Sequence, residues 1–278
     1  MVQTLVVLGI VVLLIAWVLG APFWHGWRRN RLKRRPFPPL WAATLAQQVP
    51  LYGALPPTMR QQLQGYMQVF LAEKQFIGCN GLTVTPEMKV TIAAIACLLL
   101  LNEREQYFPK LRSVLVYPTA YWAYEAFMDE NGIVQERRVA RLGESWTTDQ
   151  VVLSWEQVQY DTAHWQDGHN VVLHEFAHQL DQEDGIAEGV PILRTKADYE
   201  AWATTMSAAF RHLCQALEQG KKTVLDPYGA TNPAEFFAVA TETFFEMPTQ
   251  LYQDSPLLYD LLQCYYCLDP KAWCLPPL

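Results

Sequence analysis

The 278-residue sequence has no acidic residue before Glu73 and no charge of either sign between Thr4 and Trp24. It has no GxGxxG turn, no phosphate-binding P-loop string and no GxSxG nucleophile elbow, so none of those motifs points to nucleotide or serine-hydrolase chemistry. Cysteine is sparse: Cys79, Cys97, Cys214, Cys264, Cys267 and Cys274 form no dense framework, which excludes a disulfide scaffold and reads as reduced thiols. Internal repeats and low-complexity tracts are missing as well, which excludes a solenoid. Outside the run Arg28–Arg35, 15 basic residues face 28 acidic ones, a balance of −13. Such a domain repels phosphate backbones, so nucleic acid is not an expected partner.

Apolar residues and aromatics are abundant: 51% of the chain is hydrophobic and ten residues are tryptophan. That is enough for one substantial core. Thr4–Trp24 is an uncharged run of the length that spans a bilayer, and RRNRLKRR follows it. The expectation is a transmembrane anchor over residues 1–27, with the basic flank held on the cytoplasmic side. A cleaved leader fits less well, because a basic n-region is missing and Pro22 follows Ala21. A basic and proline-rich linker is expected over residues 28–57, irregular but for one short helix, given Pro36, Pro38, Pro39, Pro50, Pro56 and Pro57. The folded domain is then residues 58–278.

Within that domain, the spacing of Met59, Leu63, Met67, Phe70 and Leu71 predicts a helix. Thr85-Pro86-Glu87 reads as a capped helix start, leading into a buried helix through Leu101. Ser113–Tyr117 and Val151–Trp155 read as strands, and Asn131-Gly132 as a hairpin turn. From Asn170 onward the pattern is helical, with helices expected at 170–182, 198–219, 233–247 and 256–267.

His174-Glu175-Phe176-Ala177-His178 lies just past the middle of the chain. Four-residue spacing on a helix sets both imidazoles on one face, one turn apart, where they can share a zinc ion. Glu175 projects beside the ion and can take a proton from an attacking water. A hydrolytic zinc needs a third protein ligand and an open position. Glu235, at the start of NPAEFFAVATETFFE, is the best candidate, although Asn232 with Glu235 is also a capping box. Glu242, two turns on, is the rival, favoured as an acid that supports a ligand rather than being one. Asp181 reads equally well as an acid orienting an imidazole or as a plain helix-end acid. Tyr228, in the loop before Glu235, reads on its own as a packing aromatic. Cys264-Tyr-Tyr-Cys267 has no second Cys/His pair to complete a metal site, and His164, His169 and His212 read as surface or structural.

With HEFAHQLD (174–181), GVPIL (189–193) and DPYGATNPAEFFAVATETFFE (226–246) on the page, the chain resembles the Mlc titration factor A family. Those are bacterial zinc peptidases related in fold to the catalytic domain of anthrax lethal factor. The resemblance runs from about residue 50 to about 268 and takes in LVYPTAYW and VVLSW. It implies zinc ligands at His174, His178 and Glu235, a general base at Glu175 and a catalytic tyrosine at Tyr228.

The expected fold is therefore α+β: a zincin-like domain of a small sheet plus helices, behind an N-terminal transmembrane helix. The expected cofactor is Zn2+, and the expected reaction is peptide hydrolysis, with a peptide lying beside the Val151–Trp155 strand. The expected place is the bacterial inner membrane, single-pass, with a cytoplasmic catalytic domain. An alternative is a zinc-containing module that sequesters a transcriptional regulator; zinc hydrolysis of a non-peptide bond is a third.

Overall fold

The computed structural model describes residues 4, 23–101, 107–128, 134–141, 143–147 and 149–273. The Asn131-Gly132 turn and Cys274 lie outside the described residues.

The described N-terminal helix, α1, covers residues 23–33 and lies against the domain. Arg29 forms a two-pronged pair with Glu73, with its Nε and Nη2 at 2.9 and 2.8 Å from the two carboxylate oxygens. Lys33 sits over the rings of Tyr66 and Tyr107, and Leu32 is buried. Among the described residues no helix is long and apolar enough to cross a membrane. This overturns the expected single-pass placement in the inner membrane with a cytoplasmic catalytic domain. The uncharged run that prompted the expectation lies, but for Thr4, Phe23 and Trp24, outside the described residues. Part of the basic run, read above as a membrane flank, has its own partners in the domain.

The proline-rich stretch is more ordered than expected. Pro39 and Pro50 each start a helix, α2 (Pro39–Gln48) and α3 (Pro50–Ala54), and Pro57 starts α4 (Pro57–Glu73). Proline at the first helical position costs no hydrogen bond, since that amide has no partner in the helix. After strand β1 (Gln75–Gly78), helix α5 (Pro86–Leu98) starts as its sequence predicts, with Thr85 accepting from the Met88 amide. Its apolar residues surround the whole axis, so it is buried nearly end to end. The Lys74 ammonium, also buried, donates to the carbonyls of Phe108 and Leu111 at 2.7 and 2.8 Å, which fixes the entry to the sheet.

The sheet has the order β1-β2-β6-β5, with β2 at Ser113–Tyr117, β5 at Gly143–Thr147 and β6 at Gln150–Ser154. The first three strands are parallel, and β5 is antiparallel to β6. The run Val151-Val152-Leu153 is buried throughout, as central strands of parallel sheets are. Between β2 and β5 the chain forms a separate antiparallel ladder of β3 (Tyr121–Met128) and β4 (Val134–Arg141). The strand read as Val151–Trp155 stops one residue sooner: Ser154 caps a new helix, α6 (Trp155–Ala163). The strand is also interior, with β2 on one side and β5 on the other, so both of its edges are taken.

The remaining elements are helices: α7 (Val171–Asp181), α8 (Lys196–Glu218), α9 (Pro233–Glu246), α10 (Pro248–Asp254) and α11 (Pro256–Tyr266). Helix α7 packs against β5, β6, α5 and α9. Phe176 anchors its apolar face between Phe70 and Phe108, with ring centres 5.7 and 4.8 Å away. Helix α9 is buried along nearly its whole length, with Phe236, Phe237, Phe244 and Phe245 in the core. The fold is thus mixed and helix-rich around a small, mainly parallel sheet.

Candidate metal centre

Helix α7 presents His174 and His178 from one face, one turn apart, with ring centres 4.8 Å apart and planes at 81°. Helix α9 brings Glu235 to the same point. Asn232 caps α9 by accepting from the Glu235 amide at 3.0 Å, but the Glu235 carboxylate turns to the histidines. Its Oε2 lies 3.0 Å from His174 Nε2 and 3.3 Å from His178 Nε2, and the two Nε2 atoms are 3.2 Å apart. The three donors lie near enough together to hold one metal ion. Their chemistry fits zinc: two imidazole nitrogens and one carboxylate oxygen. So does their spacing, since bonds of about 2.0–2.1 Å in a tetrahedron put neighbouring ligand atoms about 3.3 Å apart.

Glu242, two turns past Glu235, accepts from His174 Nδ1 at 2.7 Å and from the Asn170 amide at 2.6 Å. With Nδ1 donating to Glu242, loss of the other proton leaves the lone pair of His174 on Nε2, aimed at the cluster. Burial works against charging His174, but the Glu242 carboxylate and the hydrogen bonds the ring donates to both glutamates raise its pKa well above the ordinary histidine value. Burial likewise pushes Glu235 up, yet the hydrogen bonds and charges of His174 and His178 hold its carboxyl far below the usual range. The cluster therefore takes up positive charge and keeps its carboxylate ionised.

The start of α7 is fastened by acids from two other helices. Asn170 caps it through Leu173 N at 3.1 Å. Asp161 of α6 accepts from Val171 N at 2.7 Å, and Glu246 of α9 accepts from Gly168 N at 3.1 Å and from the Asn170 side-chain amide at 3.0 Å. Carboxylates at a helix N-terminus also complement its dipole. Burial is the main cause that raises the pKa of Asp161 to about 7 and that of Glu246 well above its usual value. Sequence reasoning assigned no role to either. For Glu246 a signal exists, because residues 235, 242 and 246 share a helical face. For Asp161 there is none.

Glu175 lies on α7 between the two histidines in sequence and is only 4% exposed, near enough for its charge to add to the field on His174. Tyr228 sits on a 3-10 turn, Pro227–Ala230, held by Asp226, which accepts from Tyr228 N at 2.7 Å. Its ring centre is 5.9 Å from that of His174, and the residue is 48% exposed. The turn is pressed onto α9 at Gly229, where a Cβ would stand 3.3 Å from Val239 and from Leu213. Asp181 is not a plain exposed helix end: it is buried and accepts from the amides of Gly189 and Val190 at 2.9 and 2.7 Å, within reach of the charge of His178. His169 pairs with Asp226 at 3.4 Å, and His164 stacks on Tyr160.

A metallopeptidase family model matches residues 24–267, a range that contains every residue of the cluster. The chain belongs to the glucose-regulated metallo-peptidase M90 family. An uncharacterized protein of Synechocystis sp. is 44% identical over 99% of this chain and 100% of its own length. The Mlc titration factor A of Klebsiella pneumoniae is 32% identical over 83% of this chain and 86% of its own. That of Serratia proteamaculans is 32% identical over 84% and 88%. The M90 family name and the His-His-Glu group agree on a metallopeptidase-like protein with a site able to take a metal ion.

Proposed function

We propose that this M90 family member is a zincin-like, zinc-dependent peptidase that hydrolyses peptide bonds in a peptide or protein substrate. The observation that carries the reading is the triangle of His174 Nε2, His178 Nε2 and Glu235 Oε2, with edges of 3.0 to 3.3 Å. His174, His178 and Glu235 hold the ion. A zinc ion there supplies a Lewis acid that acidifies water and polarises a carbonyl.

The chain's own groups do the rest. Glu175 removes the proton of the attacking water and delivers it to the leaving amine. The Tyr228 hydroxyl donates to the oxyanion as the carbonyl becomes tetrahedral. Glu242 holds the His174 ring in the tautomer that keeps its Nε2 lone pair free. A substrate strand has no place beside β6, whose edges are both paired; β5, next to α7, has an outer edge with no partner in the described sheet. An extended peptide adds there by backbone hydrogen bonds.

Metal analysis of the purified protein, coupled to cleavage of a peptide library with and without chelator, tests the reading. Chelator-sensitive cleavage with one zinc per chain supports it. A zinc-loaded protein that cleaves no peptide overturns the enzymatic part.

A second reading takes its support from the printed name of the relatives, Mlc titration factor A. In it, the chain is a zinc-containing module that sequesters a transcriptional regulator. A cluster of three donors among the described residues favours the enzyme, because structural zinc sites are closed by four protein ligands.

A further inference from the structure

We propose that Asp181 is a positioning residue of the metal centre: it braces the Gly189–Val190 backbone against the first turn of α9 and so sets the distance between His178 and Glu235. The inference rests on the reading of those two residues as ligands.

Asp181 is the last residue of α7, three past His178, and it is 1% exposed. Both of its carboxylate oxygens are used, Oδ2 by the Gly189 amide and Oδ1 by the Val190 amide. The Gly189 carbonyl accepts from the indole of Trp202 at 2.9 Å, and that indole is packed at 5.5 Å on Phe237 of α9. Gly189 has φ +76°, and a Cβ there would stand 2.3 Å from the Pro233 carbonyl oxygen. The loop backbone therefore touches α9 directly, two residues before Glu235, with no space for a side chain. A closed circuit results. It runs from His178 along α7 to Asp181, across Gly189 to Pro233, and through Glu235 back to His178.

Such a brace matters because a site held by two separate helices loses affinity when either drifts. Groups that orient metal ligands without touching the ion are worth about 10- to 100-fold in affinity. The sequence between Asp181 and Gly189, Gln-Glu-Asp-Gly-Ile-Ala-Glu, has little apolar material with which to hold itself in place. The Asp181 and Trp202 bonds supply what packing does not.

The test is zinc affinity of the full chain by competition with a chromogenic chelator, measured for wild type, Asp181→Asn, Glu235→Gln and the double variant. Melts of the metal-free proteins run alongside. Asp181→Asn is expected to weaken zinc binding about tenfold. In the Glu235→Gln background it is expected to add no further loss, because the brace acts through Glu235. A merely structural role would lower the melting temperature and add its loss independently in the double variant, which overturns the proposal. So does wild-type affinity in Asp181→Asn. If Glu235→Gln alone binds zinc normally, the ligand reading itself fails and takes the brace with it. Should Asp181→Asn not fold, Trp202→Phe removes the bond to the Gly189 carbonyl together with part of the ring packed on Phe237; it is expected to weaken zinc at least about fivefold, the value of one hydrogen bond, and unchanged affinity overturns the proposal.

Discussion

His174 Nδ1 and Glu242 Oε1 stand 2.7 Å apart across the seam between α7 and α9. The carboxylate also holds the Asn170 amide, so one side chain fixes both a ring and the start of its helix. Glu242→Gln leaves a neutral amide that can present either oxygen or nitrogen to the ring. Zinc affinity is expected to fall about 10- to 100-fold. Competition against a chelator measures it, and an unchanged constant removes Glu242 from the site.

Glu175→Gln keeps the size of the side chain and removes its basicity. The variant is expected to bind one zinc per chain and to lose turnover by about 100-fold or more. Metal content and peptide cleavage are read on the same sample. Turnover at the wild-type rate rules out Glu175 as the base.

Tyr228→Phe retains the ring 5.9 Å from His174 and deletes only the hydroxyl. A donor used in the transition state lowers kcat and leaves KM nearly unchanged. The expected loss is about 10- to 1,000-fold in kcat, the range for one oxyanion donor. A change confined to KM assigns Tyr228 to substrate binding instead.

Without metal, His174 holds a proton to well above the ordinary histidine pKa, despite the opposing effect of burial. Zinc must displace that proton. Affinity is therefore expected to weaken as pH falls and to strengthen as pH rises toward that raised value, with proton release on binding. Calorimetry in buffers of different ionisation enthalpy counts the protons; zero release at neutral pH contradicts a protonated His174.

Asp161 contributes with the opposite sign. Its folded pKa is about 7, above the unfolded value, chiefly through burial. Between pH 4 and 7 the folded state then binds the proton that the unfolded state gives up, so this group makes stability fall as pH rises, by up to about 1.4 kcal/mol per pH unit. Asp161→Asn keeps an oxygen for the Val171 amide and does not titrate. Thermal melts of the metal-free proteins are expected to favour the variant progressively from pH 5 to pH 7. Parallel curves for the two proteins show that Asp161 stays ionised.

Local features of this chain were legible and long-range ones were not. The α7 helix is visible because Asn170 caps it and the histidines repeat at four, and α5 because Thr85-Pro86 opens an apolar run. Glu235 was picked out by Asn232-Pro233, a local start signal. The proline-rich stretch misled, since proline marks a helix start as readily as a break. That β6 is interior depends on pairings with residues far along the chain, which no periodicity records. The role of Asp161 depends on an amide ten residues away in a different helix, and that of Glu246 on one 78 residues away.

His178 and Glu235 are 57 positions apart, on helices that meet only in the finished fold. A nascent or denatured copy owns the histidine pair but not the third donor, so it competes poorly for scarce zinc. Whatever free energy the ion gains from that third bond is returned as resistance to unfolding, by RT ln(1 + [L]/Kd). If zinc is the ion proposed for this site, its supply is expected to set how long each copy survives proteolysis, and zinc-starved cells are expected to clear the chain faster than zinc-replete ones.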